Sequence, residues 1–162
     1  MVCVTGPLLY GAAAGAAGTT ALNVVSYGDM VVRGRPASST PETTVRKLAE
    51  KLHLRIPGAG QAEESRVSAL GALTGLAAGT GMGVMLGLGH AAGWRPTRGA
   101  QYTVAVVGAL VATNGPMTVL GVTDPRTWAT SDWISDIVPH LAYAVVTVSV
   151  FNRLLGGAPA CC

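Results

Sequence analysis

The sequence predicts an all-α membrane protein: a four-transmembrane-helix bundle with Gly-rich helix interfaces and one amphipathic interfacial helix between the first and second spans. Three observations predict this fold. The 162-residue chain has four apolar segments long enough to cross a bilayer, which takes about 20 helical residues. Charged residues make up only 12% of the chain, and seven of its eleven Lys and Arg lie in one connection. The apolar content is dominated by small residues, with a single Phe, which favours close helix packing in lipid.

The whole chain, residues 1–162, is interpreted as a single membrane domain. Its predicted spans cover residues 7–27, 67–90, 101–122 and 132–155, and a polar basic loop covers residues 28–66. No basic segment precedes the first apolar run, which is also too long for the apolar part of a signal peptide. The first run is therefore predicted to be a retained span.

The second predicted span carries glycine at every fourth position. Each such glycine costs up to ~1 kcal/mol against alanine in a water-soluble helix. In lipid the helix is enforced, and a row of glycines lets a second helix approach closely. The first span has a similar row, and if this weak internal repeat is more than low complexity, the two spans pack ridge against ridge. The predicted helix-packing residues are Gly71, Gly75, Gly79, Gly83 and Gly87 in the second span and Gly11 and Gly15 in the first.

The loop between these spans is too long to be structureless throughout, so part of it is predicted to be helical. Thr40 has the chemistry of a helix cap, and Ser39 with Glu42 has the spacing of a capping box. Pro57 with Gly58 is expected to end the helix. An amphipathic basic helix beside a membrane usually lies in the headgroup plane, and the alternative is a docking site for a soluble partner or anionic lipid. The residues predicted to contact lipid headgroups or a partner are Arg46, Lys47, Lys51 and Arg55.

The third span is interrupted by Asn114, Gly115 and Pro116. Proline removes one backbone donor, so carbonyl groups near Ala112 and Thr113 are expected to be freed and the helix to kink. One interpretation is a kink that only shapes the bundle. The other is a polar pocket lined by Asn114.

One chemical constellation occurs on the fourth span, where three ionisable residues lie four positions apart on one helix face. Ionisable groups inside a membrane are costly and suggest function. Three alternatives are open. His140 is neutral and hydrogen-bonds across helices to Asn23, Thr19 or Asn114, or it forms a proton- or cation-handling pair with Asp136. In the third alternative His140 ligates a metal or haem. The candidate proton, cation or polar cluster consists of Asp132, Asp136, His140 and Asn114.

The sequence lacks the motifs that mark several other classes of protein. The sequence has no P-loop, nucleophile elbow, zinc-protease motif or metal-binding spacing of its cysteines at positions 3, 161 and 162, so we expect neither an enzyme nor a cofactor. The terminal Cys161–Cys162 pair is interpreted as two exposed thiols, with lipidation as the alternative. The basic loop has no base-stacking aromatic residues, so a nucleic-acid partner is not expected.

The distribution of basic residues predicts the orientation. The seven basic residues of loop 28–66 and Arg126 lie on one side, against Arg95, Arg98 and Arg153 on the other. Because cytoplasmic loops carry the excess of Lys and Arg, the loop is predicted to be cytoplasmic and both termini external. The predicted location is the inner (plasma) membrane of a bacterium, as a multi-pass protein.

Two stretches of the chain resemble a known type of protein. TTALNVVSYGDMVVRGRPASSTPETTVRKLAEKL and GVTDPRTWATSDWISDIVPHLAYAVV are similar to small integral membrane proteins of actinobacterial type, to which no activity is assigned. The resemblance covers about residues 11–148. It implies a membrane protein of the bacterial envelope and leaves the activity open.

These observations favour a structural or accessory membrane protein that packs through small-residue helix faces. Its expected partners are membrane lipid and either further copies of itself or a larger membrane complex. The alternative is a small transporter or channel protomer that handles protons or cations through the intramembrane Asp, His and Asn cluster.

Overall fold

The computed structural model describes residues 4–157, so Cys3, Cys161 and Cys162, and with them the interpretation of the terminal thiols, lie outside the described residues. Over residues 4–157 the chain is entirely α-helical apart from its connections, without a strand, which confirms the predicted all-α class. The helices are α1 (Thr5–Arg33), α2 (Thr40–Lys51), α3 (Gln61–Ala91), α4 (Arg98–Val119) and α5 (Thr130–Gly157), with one turn of 3-10 helix at Pro125–Thr127.

Four helices, α1, α3, α4 and α5, are long and apolar enough to span a membrane. Two of them extend well beyond the predicted spans at the end of the bundle that carries most basic residues, which we call the basic end. Here α1 continues to Arg33 before Gly34, with a φ of 63°, ends it, and α3 already begins at Gln61. Glu63 and Glu64 favour the start of α3 because negative charge is stabilised at a helix N-terminus.

The short helix predicted in the basic loop is present as α2, but two details of the prediction are wrong. Thr40 is the first helical residue, and Ser39 occupies the cap position without a hydrogen bond from its side chain. The Thr40 amide donates to the hydroxyl of Ser38 at 3.2 Å instead. The helix ends at Lys51, well before Pro57, because His53 adopts a left-handed conformation with a φ of 53°. In this conformation the amides of His53 and Leu54 donate back to the last turn of the helix, to the carbonyl groups of Glu50 and Ala49 respectively.

The bundle is organised around α1, which packs against both α3 and α5. Helix α4 packs against α5 and α3, and α2 lies against α3 at the basic end. The buried apolar core is built from small residues with a few larger ones between them, and its members are Ala14, Leu86, Ala105, Ala109, Tyr143, Ala144, Val148 and Phe151. Such a core brings the helix axes close together.

The backbones of α1 and α3 approach each other at glycine positions. A Cβ atom built on Gly83 would lie 2.2 Å from the carbonyl oxygen of Gly11, and one built on Gly15 would lie 2.5 Å from the carbonyl oxygen of Gly79. At Gly87 the same construction reaches the carbonyl oxygen of Pro7 at 2.2 Å. Since real Cβ atoms do not come this close to an oxygen, these positions accept only hydrogen as a side chain.

The other two glycines of the α3 row do not face α1. A Cβ atom on Gly71 would meet the Pro41 side chain of α2 at 3.1 Å, while nothing among the described residues lies within 4 Å of one on Gly75. A step of four residues advances by about 400°, so a four-residue row drifts by about 40° per step around an α-helix. Along α3 the row therefore faces α2 at Gly71, is uncovered at Gly75 and faces α1 from Gly79 onwards.

The sequence Asn114–Gly115–Pro116 does not break the third span. Helix α4 is continuous to Val119, three residues short of the predicted end at Val122. Beyond Pro116 the helical pattern resumes, since the amide of Leu120 donates to the Pro116 carbonyl at 2.9 Å. Gly121, with a φ of 64°, then ends the helix.

Candidate functional site

His140 lies inside the bundle, on α5, with only 6% of its surface exposed. Its Nδ1 atom is 2.7 Å from the carbonyl oxygen of Asp136, one turn earlier on the same helix. Its Nε2 atom is 3.3 Å from the hydroxyl of Thr113 on α4. The cross-helix partner of His140 is therefore Thr113, rather than Asn23, Thr19 or Asn114 as the sequence suggested.

Asp136 and Asn114 form a second bridge between α5 and α4. The Asn114 side-chain amide donates to Oδ2 of Asp136 at 2.8 Å. The other carboxylate oxygen, Oδ1, is 3.5 Å from Nδ1 of His140. Three of the four residues in the predicted cluster thus lie together, and Thr113 joins them as a member that the sequence pattern did not indicate.

Asp132 lies outside this cluster. Its side chain is exposed in the first turn of α5, where Oδ2 accepts a hydrogen bond from the amide of Ala129 at 3.0 Å. The four-residue spacing places it on the same helix face, but α5 has only begun here and α4 has already ended at Val119. Asp132 therefore helps to satisfy the backbone at the start of α5.

The hydrogen bonds around His140 fit two protonation states. Thr113 is also within 3.0 Å of the Ala109 carbonyl, to which its hydroxyl donates in the usual way for a threonine in a helix. In that arrangement the hydroxyl oxygen accepts from Nε2, and Nδ1 donates to the Asp136 carbonyl, so both ring nitrogens carry protons. If the Thr113 hydroxyl rotates and donates to Nε2 instead, the ring is neutral. A rotation of one hydroxyl separates the two states.

Tyr143 and Thr147 continue the polar face of α5 deeper into the bundle. The Tyr143 hydroxyl donates to the carbonyl oxygen of Gly79 on α3 at 2.7 Å. Thr147 is fully buried, and its hydroxyl finds no hydrogen-bond partner among residues 4–157. Gly18 of α1 faces both side chains, and a Cβ atom there would lie 1.9 Å from the Thr147 hydroxyl oxygen. Helices α1, α3 and α5 therefore meet at this level.

A cluster of charges connects α1 to α5 at the basic end. Asp29 accepts hydrogen bonds from Arg33 at 2.6 Å and from Arg35 at 2.5 Å, and Arg33 also donates to the hydroxyl of Ser135 on α5. Asp29 lies beyond the apolar segment 7–27. The hydrogen bond from Arg33, followed by that from Arg35, holds the pKa of the Asp29 carboxyl below its usual range.

The four basic residues predicted to contact headgroups or a partner differ in their surroundings. Arg46 forms an ion pair with Glu63 of α3 at 2.6 Å, and Lys47 donates to the carbonyl of Gly121 at 3.2 Å. Lys51 and Arg55 are exposed and make no hydrogen bond or ion pair in the part of the chain that the structure describes. Half of the predicted docking set therefore holds α2 to its neighbours.

The remaining histidines lie away from the polar cluster. His90 is half-buried at the end of α3 and packs edge-on against Phe151, with ring centroids 5.9 Å apart. His53 is exposed in the turn after α2. No group of three His, Cys, Asp or Glu residues within residues 4–157 is placed to hold a metal ion.

Comparison with known proteins adds no relative: no family model, curated protein or solved structure matches the chain. Four long apolar helices around a small-residue core, with tryptophans near the helix ends, are compatible with a multi-pass integral membrane protein.

Proposed function

We propose that this protein is a non-enzymatic structural or accessory integral membrane protein. It associates through small-residue helix faces with copies of itself or with a larger membrane complex. The observation that carries the proposal is an unused small-residue face on α3. Ala77 and Gly81 are exposed one turn apart, and among the described residues nothing lies within 4 Å of a Cβ atom on Gly81. Two small residues at this spacing are typical of helix contacts between membrane proteins.

The interior of the bundle supports a structural role. Its polar side chains bond mainly to one another and to backbone, as in the pairs Asn114–Asp136, His140–Thr113 and Tyr143–Gly79. Each pair joins two different helices. Bonds of this kind fix the relative positions of helices in lipid, where an unsatisfied polar group is costly.

We further propose that the basic end faces the cytoplasm of a bacterium, at its inner membrane. Loop 28–66 and Arg126 belong to this end, whereas Arg95 and Arg98 connect α3 to α4 at the opposite end. The excess of positive charge on one side supports this orientation. The resemblance of two stretches to actinobacterial membrane proteins supports the same location.

The association is tested with a pair of substitutions on the exposed face. Ala77→Leu with Gly81→Leu should abolish association with copies or with co-purifying membrane proteins in mild detergent, because leucine side chains hold the partner backbone away. The matched control is Ala112→Leu on the exposed face of α4. Thermal unfolding should be unchanged in both variants. A wild-type protein that migrates as a single chain without a co-purifying membrane protein would contradict the proposal, as would unchanged association of the double variant.

A second candidate function is a small transporter or channel protomer that handles protons or cations. The observation that favours it is the arrangement of His140 between two oxygen atoms, with the Asp136 carboxylate 3.5 Å from Nδ1. The Thr113 hydroxyl can rotate either to donate to Nε2 or to accept from it, as a histidine that gains and loses a proton requires. In liposomes under a pH gradient, this function requires a proton or cation flux that His140→Ala abolishes and His90→Ala retains. Equal flux from empty liposomes rules it out.

A further inference from the structure

A large apolar groove opens between α2 and the first turns of the apolar part of α3. Its volume is about 540 Å³, within the range of roughly 300–1,000 Å³ that is usual for small-molecule sites. Its floor is formed by leucines of both helices, Leu48 and Leu52 on one side and Leu70 and Leu73 on the other. All four are exposed, from 42% for Leu48 and Leu70 to 59% for Leu73.

Two arginines, Arg55 and Arg66, line the same groove. Arg66 donates through one nitrogen to the carbonyl of Pro57 at 2.9 Å, which ties the loop after α2 to α3. Gly58, with a φ of 105°, lies against the Arg66 guanidinium and allows this close turn. The Nε and Nη2 atoms of Arg66 and the whole guanidinium of Arg55 bind no acceptor within residues 4–157. The residues lining the groove include no Asp or Glu.

The order of these groups along the membrane normal indicates what the groove holds. Arg66 is the last charged residue before the uncharged segment 67–90, so it lies at the water interface, and Leu70 and Leu73 lie one and two turns deeper. A phospholipid presents a charged phosphate and then an acyl chain in the same order. Arginine recognises phosphate well because its planar guanidinium forms two parallel hydrogen bonds.

We propose that this groove is a binding site for one anionic membrane phospholipid, whose phosphate contacts Arg55 and Arg66 and whose acyl chain lies between α2 and α3. In this proposal the amphipathic helix α2 forms one wall of a lipid-binding site, in addition to lying in the headgroup plane. The net positive charge of the groove selects an anionic headgroup, and its apolar floor requires an acyl chain.

Native mass spectrometry of the detergent-solubilised protein tests this proposal. The probe is an equimolar mixture of phosphatidylglycerol and phosphatidylcholine with identical acyl chains. The wild-type protein should retain phosphatidylglycerol in preference to phosphatidylcholine. Arg55→Gln should lower this preference roughly fivefold, and the double variant Arg55→Gln with Arg66→Gln should remove it. Arg55→Gln alone keeps the test informative if loss of the Arg66–Pro57 bond unfolds the loop.

A second variant separates the acyl-chain contact from the charge. Ala69→Phe fills the groove and leaves both arginines in place, so it should reduce binding of both lipids. The matched controls lie away from the groove: Arg98→Gln removes a positive charge at the opposite end of the bundle, and Ala112→Phe adds the same bulk to α4. Both should bind like the wild type.

Four results would overturn the proposal. One is equal retention of the two lipids by the wild-type protein, and another is an unchanged preference in Arg55→Gln. The third is an equal loss of preference in Arg98→Gln, because binding would then follow the overall charge. Retention of free glycerol phosphate without a chain at the same level would also contradict it, since the apolar floor would then contribute nothing.

Discussion

The hydroxyl of Tyr143 on α5 donates a hydrogen bond to the carbonyl oxygen of Gly79 on α3, at 2.7 Å. Gly79 lies in the part of the α3 glycine row that α1 covers, and Tyr143 is 1% exposed. An α-helical carbonyl already accepts one bond from its own helix, so the tyrosine uses its second lone pair. This hydrogen bond connects α3 and α5, the two helices that both pack on α1.

We predict that Tyr143→Phe weakens the bundle without changing its fold. The substitution removes one buried hydrogen bond and keeps the ring, so the expected cost is about 0.5–1.5 kcal/mol. The measurement is the free energy of unfolding in detergent, and Tyr27→Phe, on the exposed surface of α1, is the control. A loss of less than the experimental error in Tyr143→Phe would show that the contact does not stabilise the bundle.

A second prediction concerns two glycines of the same α3 row. In Gly83→Ala the new Cβ atom meets the Gly11 carbonyl oxygen at 2.2 Å and the Gly15 Cα atom at 2.7 Å, so α1 and α3 must separate. Overpacking of this kind costs about 1–3 kcal/mol or more. In Gly75→Ala the Cβ atom enters open space, and the better helix propensity of alanine makes the change neutral or stabilising by up to ~1 kcal/mol.

Thermal unfolding of the two variants, compared with the wild type, measures this difference. Both changes replace glycine by alanine in the same helix, so Gly75→Ala is a matched control for Gly83→Ala. Equal unfolding temperatures in the two variants would mean that the backbone contact between α1 and α3 is not formed in solution.

The four apolar helices follow directly from the composition of the sequence, but the way each glycine is used does not. A four-residue spacing fixes only a slowly rotating face, so it cannot tell which neighbour covers Gly71, Gly75 or Gly83. The ends of helices were also harder to predict. α2 ends at Lys51 because His53, two residues later, adopts a left-handed conformation without being a glycine, while the more conspicuous Pro57 lies in the following loop.

A third prediction concerns the pair Asn114 and Asp136. Asp136→Ala leaves the Asn114 amide without its acceptor inside the bundle. Asn114→Ala leaves Oδ2 of Asp136 without its donor. Each single variant should lose about 1–3 kcal/mol of unfolding free energy. The double variant should lose less than the sum, with a coupling energy of about 0.6–1.7 kcal/mol, as found for hydrogen bonds between membrane helices. Strict additivity would contradict a direct bond.

The candidate site was only partly predictable for a related reason. The spacing of Asp136 and His140 places them on one face, and the rarity of ionisable residues in apolar segments marks them out. The role of Thr113 could not be read from the sequence, because a threonine in a helix usually bonds to its own backbone and gives no separate signal. The hydrogen bond between Arg33 and Ser135 joins residues 102 positions apart, and no local pattern reveals it.

The fourth prediction is a pH dependence of the contact between α1 and α5 at the basic end. Hydrogen bonds from Arg33 and then Arg35 lower the pKa of Asp29 in the folded protein below its ordinary value of about 3.8. A group with a lowered folded-state pKa binds its proton more readily when unfolded, so its contribution is complete above the unfolded pKa and is lost as the pH falls through the folded pKa.

Wild type and Asp29→Asn should therefore differ in unfolding temperature at pH 6, with the wild type more stable, and the difference should shrink as the pH falls below the ordinary carboxyl pKa of about 3.8. High salt should reduce the difference at pH 6, because Asp29 and its arginine partners are accessible to solvent. Glu50→Gln, an exposed carboxylate on α2 without an ion pair in the described structure, is the control and should unfold like the wild type throughout. A wild-type advantage that instead grows on acidification would contradict the assigned ionisation of Asp29, since only its carboxylate form accepts both arginine hydrogen bonds.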